Sequence, residues 1–159
     1  MSIEVLNESG SQADVKQLSR LVRYVLDRMR VHPQAEVCLK LVDPETIASY
    51  NERWMDKEGP TDVLAFPMDE LRPGNEAEEP DEGVLGDILL CPQVAAEQAP
   101  ANGQTPQQEV DLLTIHGILH LLGYDHAEPE ERREMFSLQS RLLAEWQDTR
   151  RPPRRGRPA

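Results

Sequence analysis

Apolar and polar positions divide the chain into short segments with two periods. Residues 3–6 form a brief apolar run, which predicts a strand. Ser11 and Asp14 read as a capping-box start. Val15, Leu18, Val22, Val25 and Met29 then recur at three- and four-residue steps, predicting an amphipathic helix over 11–30. A β-rich run at 37–42 predicts a second strand. Asp43-Pro44 is an N-cap followed by proline at the first helical position, and Ile47, Tyr50 and Trp54 form the apolar stripe of that second helix. Pro60 breaks the chain before a third strand at 63–66. Residues 69–82 hold seven acids, two prolines and a glycine, and are expected as a solvated loop. A fourth strand is predicted at 84–91, apolar except for Asp87. Pro92 and Pro100 bracket a short helical piece.

Thr105, Pro106 and Gln108 repeat the capping-box pattern. The helix they open runs to Leu122 and is apolar almost all round, which predicts burial at the centre of the domain. Gly123 ends it. Pro129 opens a last helix with Met135, Leu138, Leu142 and Trp146 on one face. From Arg150 onward a Pro/Arg-rich tail has nothing to pack with and is expected to be disordered. The pattern therefore predicts one α/β (α+β) layer fold, with a single domain over 1–149 and a tail over 150–159.

Length and composition agree with one globular domain: 159 residues, 38% hydrophobic and 29% charged. No apolar run approaches the ~20 residues that span a bilayer. The start lacks a basic region followed by an apolar stretch, and Cys38 and Cys91 are too few for a disulfide framework. The expectation is a soluble, cytoplasmic protein with no membrane partner. The formal net charge is −12, and five of the 17 basic residues lie in the last ten positions. Residues 1–149 set twelve basic residues against 29 acids, a net −17. Such a body is no generic nucleic-acid binder, so any RNA role needs a local positive site, a metal or the tail.

Three of the four histidines fall within eleven residues: His116-Gly-Ile-Leu-His120-Leu-Leu-Gly-Tyr-Asp-His126. His116 and His120 are four apart, about 40° from each other on one helix face and one turn apart, so they can share a metal ion. In a continuing helix His126 would lie about 9 Å beyond His120 on another side. Gly123 removes that obstacle, because glycine adopts the left-handed conformation that ends a helix and turns the chain back. Three protein ligands leave a fourth position for water, the pattern of a catalytic zinc site. The spacing is that of the metzincin signature H-E-x-x-H-x-x-G-x-x-H, with Gly117 in place of the glutamate that serves as the peptidase base.

The same eleven residues resemble the H-G-x-L-H-L-x-G-Y-D-H signature of the YbeY family, bacterial endoribonucleases also called rRNA maturation factors. Pro60-Thr-Asp-Val-Leu-Ala-Phe-Pro67 resembles the family's P-T-D-V-L-S-F-P segment, and Leu85-Gly-Asp-Ile88 its L-G-D-I strand. Order and spacing match, and the likeness covers about residues 1–147. The resemblance implies a compact fold with a four-stranded mixed sheet and a central helix carrying the metal ligands. It implies zinc, one ion per chain, held by His116, His120 and His126. It further implies a single-strand-specific endoribonuclease in 16S rRNA 3′-end maturation and ribosome quality control. The implied partners are rRNA and the small ribosomal subunit, with a small-subunit ribosomal protein and an Era-type GTPase. Two positions depart from the family pattern. Met55 stands where an arginine is usual, and Ala65 replaces the serine.

A metal held by three neutral imidazoles keeps its full charge and lowers the pKa of bound water, the expected reactive group. Asp125 beside His126, and Asp87 within the fourth strand, are candidates to orient a metal-bound histidine. Trp54 is expected to pack rather than stack a base. Two other readings stay open: a zinc metallopeptidase, opposed by Gly117, and a non-catalytic ribosome-assembly factor with a structural metal.

Overall fold

Strand and helix alternate from the start: β1 (Ser2–Asn7), α1 (Val15–Arg28), β2 (Glu36–Leu41), α2 (Pro44–Met55), β3 (Val63–Pro67) and β4 (Val84–Leu90). Four helical pieces follow: α3 (Pro92–Gln98), a 3-10 turn (Pro100–Asn102), α4 (Pro106–Leu121) and α5 (Pro129–Arg150). The computed structural model describes residues 2–69, 83–125 and 127–150. The acidic stretch expected as a loop, from 70 onward, therefore lies outside the described residues, as do His126 and residues 151–159.

The four strands form one mixed sheet in the order β1-β2-β4-β3. β1, β2 and β4 run parallel, and β3 lies antiparallel along the edge against β4. α4 packs on β3 and β4, α1 on β1 and α4, and α5 on α4. Because alternate strand residues point to opposite faces, Val37, Leu39, Gly86, Ile88 and Ala65 line the face under α4. Ile88, Ile115, Ile118 and Leu119 are fully buried there, and each such side chain contributes about 1.5–3 kcal/mol. Val42, Ile47, Leu64, Leu89 and Cys91 form a smaller cluster under α2, on the opposite face.

Gly86 is where β4 demands glycine. Its φ is +145°, and a Cβ there would lie 2.3 Å from the Phe66 carbonyl oxygen. The register slips by one residue at this point, so that Leu85 is inserted opposite β2.

Four local expectations change. Asp14, not Ser11, caps α1: its carboxylate accepts from the Gln17 N–H at 3.0 Å, while Ser11 belongs to a turn held by Asn7 and Ser9. In α2, Ile47 is buried as expected, but Tyr50 is 40% and Trp54 60% exposed. The other buried member of that helix is Asn51, whose amide donates to the Gly59 carbonyl. α4 carries more than apolar residues into the interior, for Glu109, Asp111 and Thr114 are buried with it. α5 runs through Arg150, which the sequence reading placed in the tail.

Candidate active site

The site is built on α4. Its capping box is closed in both directions: the Gln108 N–H donates to Thr105 Oγ1 and the Thr105 N–H to Gln108 Oε1. Two turns on, His116 and His120 meet at their Nε2 atoms, 3.0 Å apart, with rings edge to face. His116 Nδ1 lies 2.7 Å from Gln139 Oε1 of α5. An amide oxygen only accepts, so the imidazole proton is on Nδ1 and the Nε2 lone pair points toward His120. Nitrogens at this spacing share a proton or a metal ion. Two imidazoles on a tetrahedral zinc, with bonds of ~2.0–2.1 Å, hold their nitrogens about 3.3 Å apart. The pair therefore fits a shared cation. Phe136 of α5 stacks on the His116 ring from the side.

Gly123 ends the helix as its sequence position predicts. Its φ is +95°, its N–H donates to the His120 carbonyl, and the Tyr124 N–H donates to that of Leu119. Asp125 follows, exposed in the loop just before His126. The expected third ligand lies outside the described residues; among those described, no three His, Cys, Asp or Glu side chains converge on one point.

Gly117, between the histidines, is fixed by packing. A Cβ there would meet Ile88 Cγ2 at 2.9 Å and two further Ile88 carbons within 3.3 Å. α4 lies so close to β4 that a glutamate at this position would have to displace the buried Ile88 side chain.

The histidines open into a cleft of about 790 Å³. One wall is the segment Thr61, Asp62, Val63 and Ala65; another is the end of α2, with Asn51, Met55 and Lys57. Asp56 closes α2 in the left-handed conformation, φ +54°, and so turns Lys57 toward the cleft. The far end carries a polar network. Asp62 accepts from the Val63 N–H at 2.7 Å, and Gln98 Nε2 donates both to Asp62 and to buried Glu109. Asn102 also donates to Glu109.

Residues 4–147 match the family described as Endoribonuclease YbeY. The chain belongs to that family. Relatives named Endoribonuclease YbeY from Nocardioides sp. and Thermobifida fusca are 68% and 62% identical over 146 residues, covering 92% of this chain and 98% and 94% of theirs. The solution structure of TM1509 from Thermotoga maritima is similar at a TM-score of 0.61 and 29% identity, over 98% of this chain and 99% of that one.

Within this YbeY-family chain the two departures both face the cleft: Met55 from α2 and Ala65 from β3. Lys57, two residues beyond Met55, brings the wall a cation that the sequence reading passed over. Asp87 does not join the site. It pairs in register with Cys38 and Phe66, on the sheet face turned away from α4. Burial, with Asp87 next in weight, pushes the Cys38 thiol up from its ordinary range. The residue that orients a candidate ligand is instead Gln139, 23 positions from His116. Its only sequence signal is a polar residue beside the apolar stripe of α5. No helix among the described residues is long and apolar enough to cross a membrane.

Proposed function

We propose that this endoribonuclease cuts single-stranded ribosomal RNA in the cleft, in 16S rRNA 3′-end maturation and ribosome quality control, with one zinc ion held by His116, His120 and His126. The observation that carries the reading is the meeting of two Nε2 atoms at 3.0 Å on the wall of a cleft large enough for nucleotides. When bound, zinc supplies Lewis-acid charge that polarises a phosphoryl oxygen and lowers the pKa of bound water toward ~7. Three imidazoles also suit other divalent transition metals.

The chain's own residues do the rest. Gln139 keeps the His116 proton on Nδ1 and so holds Nε2 ready as a donor atom. Asp125 is placed in sequence to do the same for His126. Lys57 draws the backbone phosphate into a protein whose body is otherwise acidic. The cleft has the volume of an ordinary ligand pocket (~300–1,000 Å³), enough to take unstacked nucleotides. Peptide hydrolysis with a glutamate base is opposed by Gly117, where even a Cβ would press on Ile88. The small ribosomal subunit, with a small-subunit ribosomal protein and an Era-type GTPase, is the setting in which this reading puts the enzyme, and the cytoplasm its compartment.

The test is cleavage of a single-stranded RNA carrying a 16S 3′-end sequence by the full chain and by His120→Ala purified in parallel, with metal content measured on both. The expected result is cleavage and about one zinc per chain for the native protein, with activity reduced at least ~100-fold and metal lost in the variant. Equal cleavage by both would overturn the reading. Absence of cleavage by both, with small-subunit binding retained in His120→Ala, would replace it with the assembly-factor reading.

A further inference from the structure

We propose that Gln98 is a specificity residue that selects, at one position beside the cut, a base bearing an amino group over uracil; this rests on the cleft being the RNA site. The argument begins with hydrogen count. The Gln98 amide has two N–H hydrogens, and both are committed: Nε2 lies 3.0 Å from Asp62 Oδ2 and 3.1 Å from Glu109 Oε1. Turning the amide over would set its carbonyl oxygen against two carboxylates, so its orientation is fixed. Toward the cleft Gln98 has only an acceptor to offer.

The residues behind it are held just as firmly. Glu109 is 1% exposed and also takes the Asn102 amide N–H groups at 3.1 and 3.2 Å. Asp62 is pinned by the Val63 N–H at 2.7 Å. This end of the cleft therefore combines oriented amide acceptors with two carboxylates behind them. A phosphate is repelled from it, and a group that donates hydrogen bonds is drawn in.

The histidine pair and Lys57 line the same cleft. Glu109 precedes His116 by seven residues on one helix, ~10 Å along its axis. That is comparable with the reach from a backbone phosphate to the Watson–Crick edge of a neighbouring base. A strand with its phosphate at the histidines thus presents a base to Gln98. At the exocyclic position adenine N6 and cytosine N4 carry amino donors, where uracil O4 and guanine O6 are carbonyl oxygens that a fixed acceptor repels, although uracil and guanine keep a ring N–H beside them. Fixed acceptors with no freedom to become donors reject the analogue that lacks the hydrogen.

The experiment uses short single-stranded RNAs with one varied position next to the mapped cut, and the full metal-loaded chain. Adenosine, purine riboside (which lacks the amino group), uridine and 2′-deoxyadenosine are compared there, by cleavage and by binding of uncleavable phosphorothioate versions. Adenosine is expected to be favoured over purine riboside and uridine by ~10-fold in kcat/KM and in affinity, with 2′-deoxyadenosine close to adenosine. In Gln98→Met the adenosine-to-uridine ratio is expected to fall to within about twofold. A variant that loses activity equally on every sequence, or a native protein indifferent to the amino group in both assays, would overturn the proposal. So would a loss that follows the 2′-hydroxyl instead. The binding arm reads out even if none of the RNAs is cut, so failure of the nuclease reading and failure of this one are told apart.

Discussion

Two polar clusters grow from the same helix, and glutamine side chains steady both. On the cleft side of α4, Gln139 holds half-buried His116. On its other side, Gln17 of α1 and Gln107 of α4 itself donate to Asp111, which is 2% exposed, with the Arg150 guanidinium 3.9 Å away. The Asp111 cluster ties α1, α4 and α5 together, and its acceptors are met by donors within the fold. The histidine cluster brings two ring nitrogens to 3.0 Å from each other at the wall of the cleft. The first cluster lies away from the cleft and joins three helices; the second lines the cleft, where a reactive site is to be sought.

That contrast can be broken first at Gln139. Gln139→Leu removes the acceptor for His116 Nδ1 while keeping the volume. It is expected to lower zinc affinity, read by competition with a chelating dye, by 10–100-fold, and RNA cleavage in parallel. Unchanged affinity would mean that the amide only packs α5. Gly117→Ala comes next. The added methyl must push Ile88 aside, so unfolding in urea should show a loss of about 1–3 kcal/mol, against a gain of up to ~1 kcal/mol in helix propensity.

The smallest effect lies in the structural cluster and depends on pH. Burial, outweighing the Gln107 and Gln17 hydrogen bonds, raises the Asp111 carboxyl above its ordinary 3.8. The folded state then holds that proton more tightly than the unfolded chain does. Its contribution to stability is complete below about pH 3.8 and is lost as pH rises through the folded value. Asp111→Asn should remove this fall, leaving a flatter profile of unfolding free energy between acid and neutral pH. An identical slope in both proteins would show that Asp111 is not the group responsible. RNA cleavage should change less than in Gln139→Leu, because Asp111 lies outside the cleft lining.

The sequence carries these two clusters unequally. His116, His120 and Gly123 are legible because helix geometry alone relates residues four apart and marks where a helix ends. The strands and helix starts are legible for the same reason: Asp43-Pro44 and Thr105-Pro106 are local signals, and both caps form. What escapes is whatever depends on contact between distant elements. Gln139 meets His116 only because α5 folds back along α4. The face on which Asp87 lies is decided by register, one residue of slip at Leu85 being part of it. Glu109 and Asp111 look like surface acids of an otherwise apolar helix until the glutamines and asparagine that receive them are in place. Trp54 completes a helical stripe in sequence, yet α2 covers only the edge of the sheet and leaves the ring outside.

The contact between Gly117 and Ile88 also constrains descent. The histidine spacing is shared with metallopeptidases, and at first sight one codon separates the two chemistries. Here a glutamate at 117 would have to follow, not precede, the shrinking of Ile88 on the neighbouring strand, and a smaller residue at 88 would by itself open a void beneath α4. Each step alone costs stability, so a descendant of this chain that keeps this packing also keeps glycine between its two histidines.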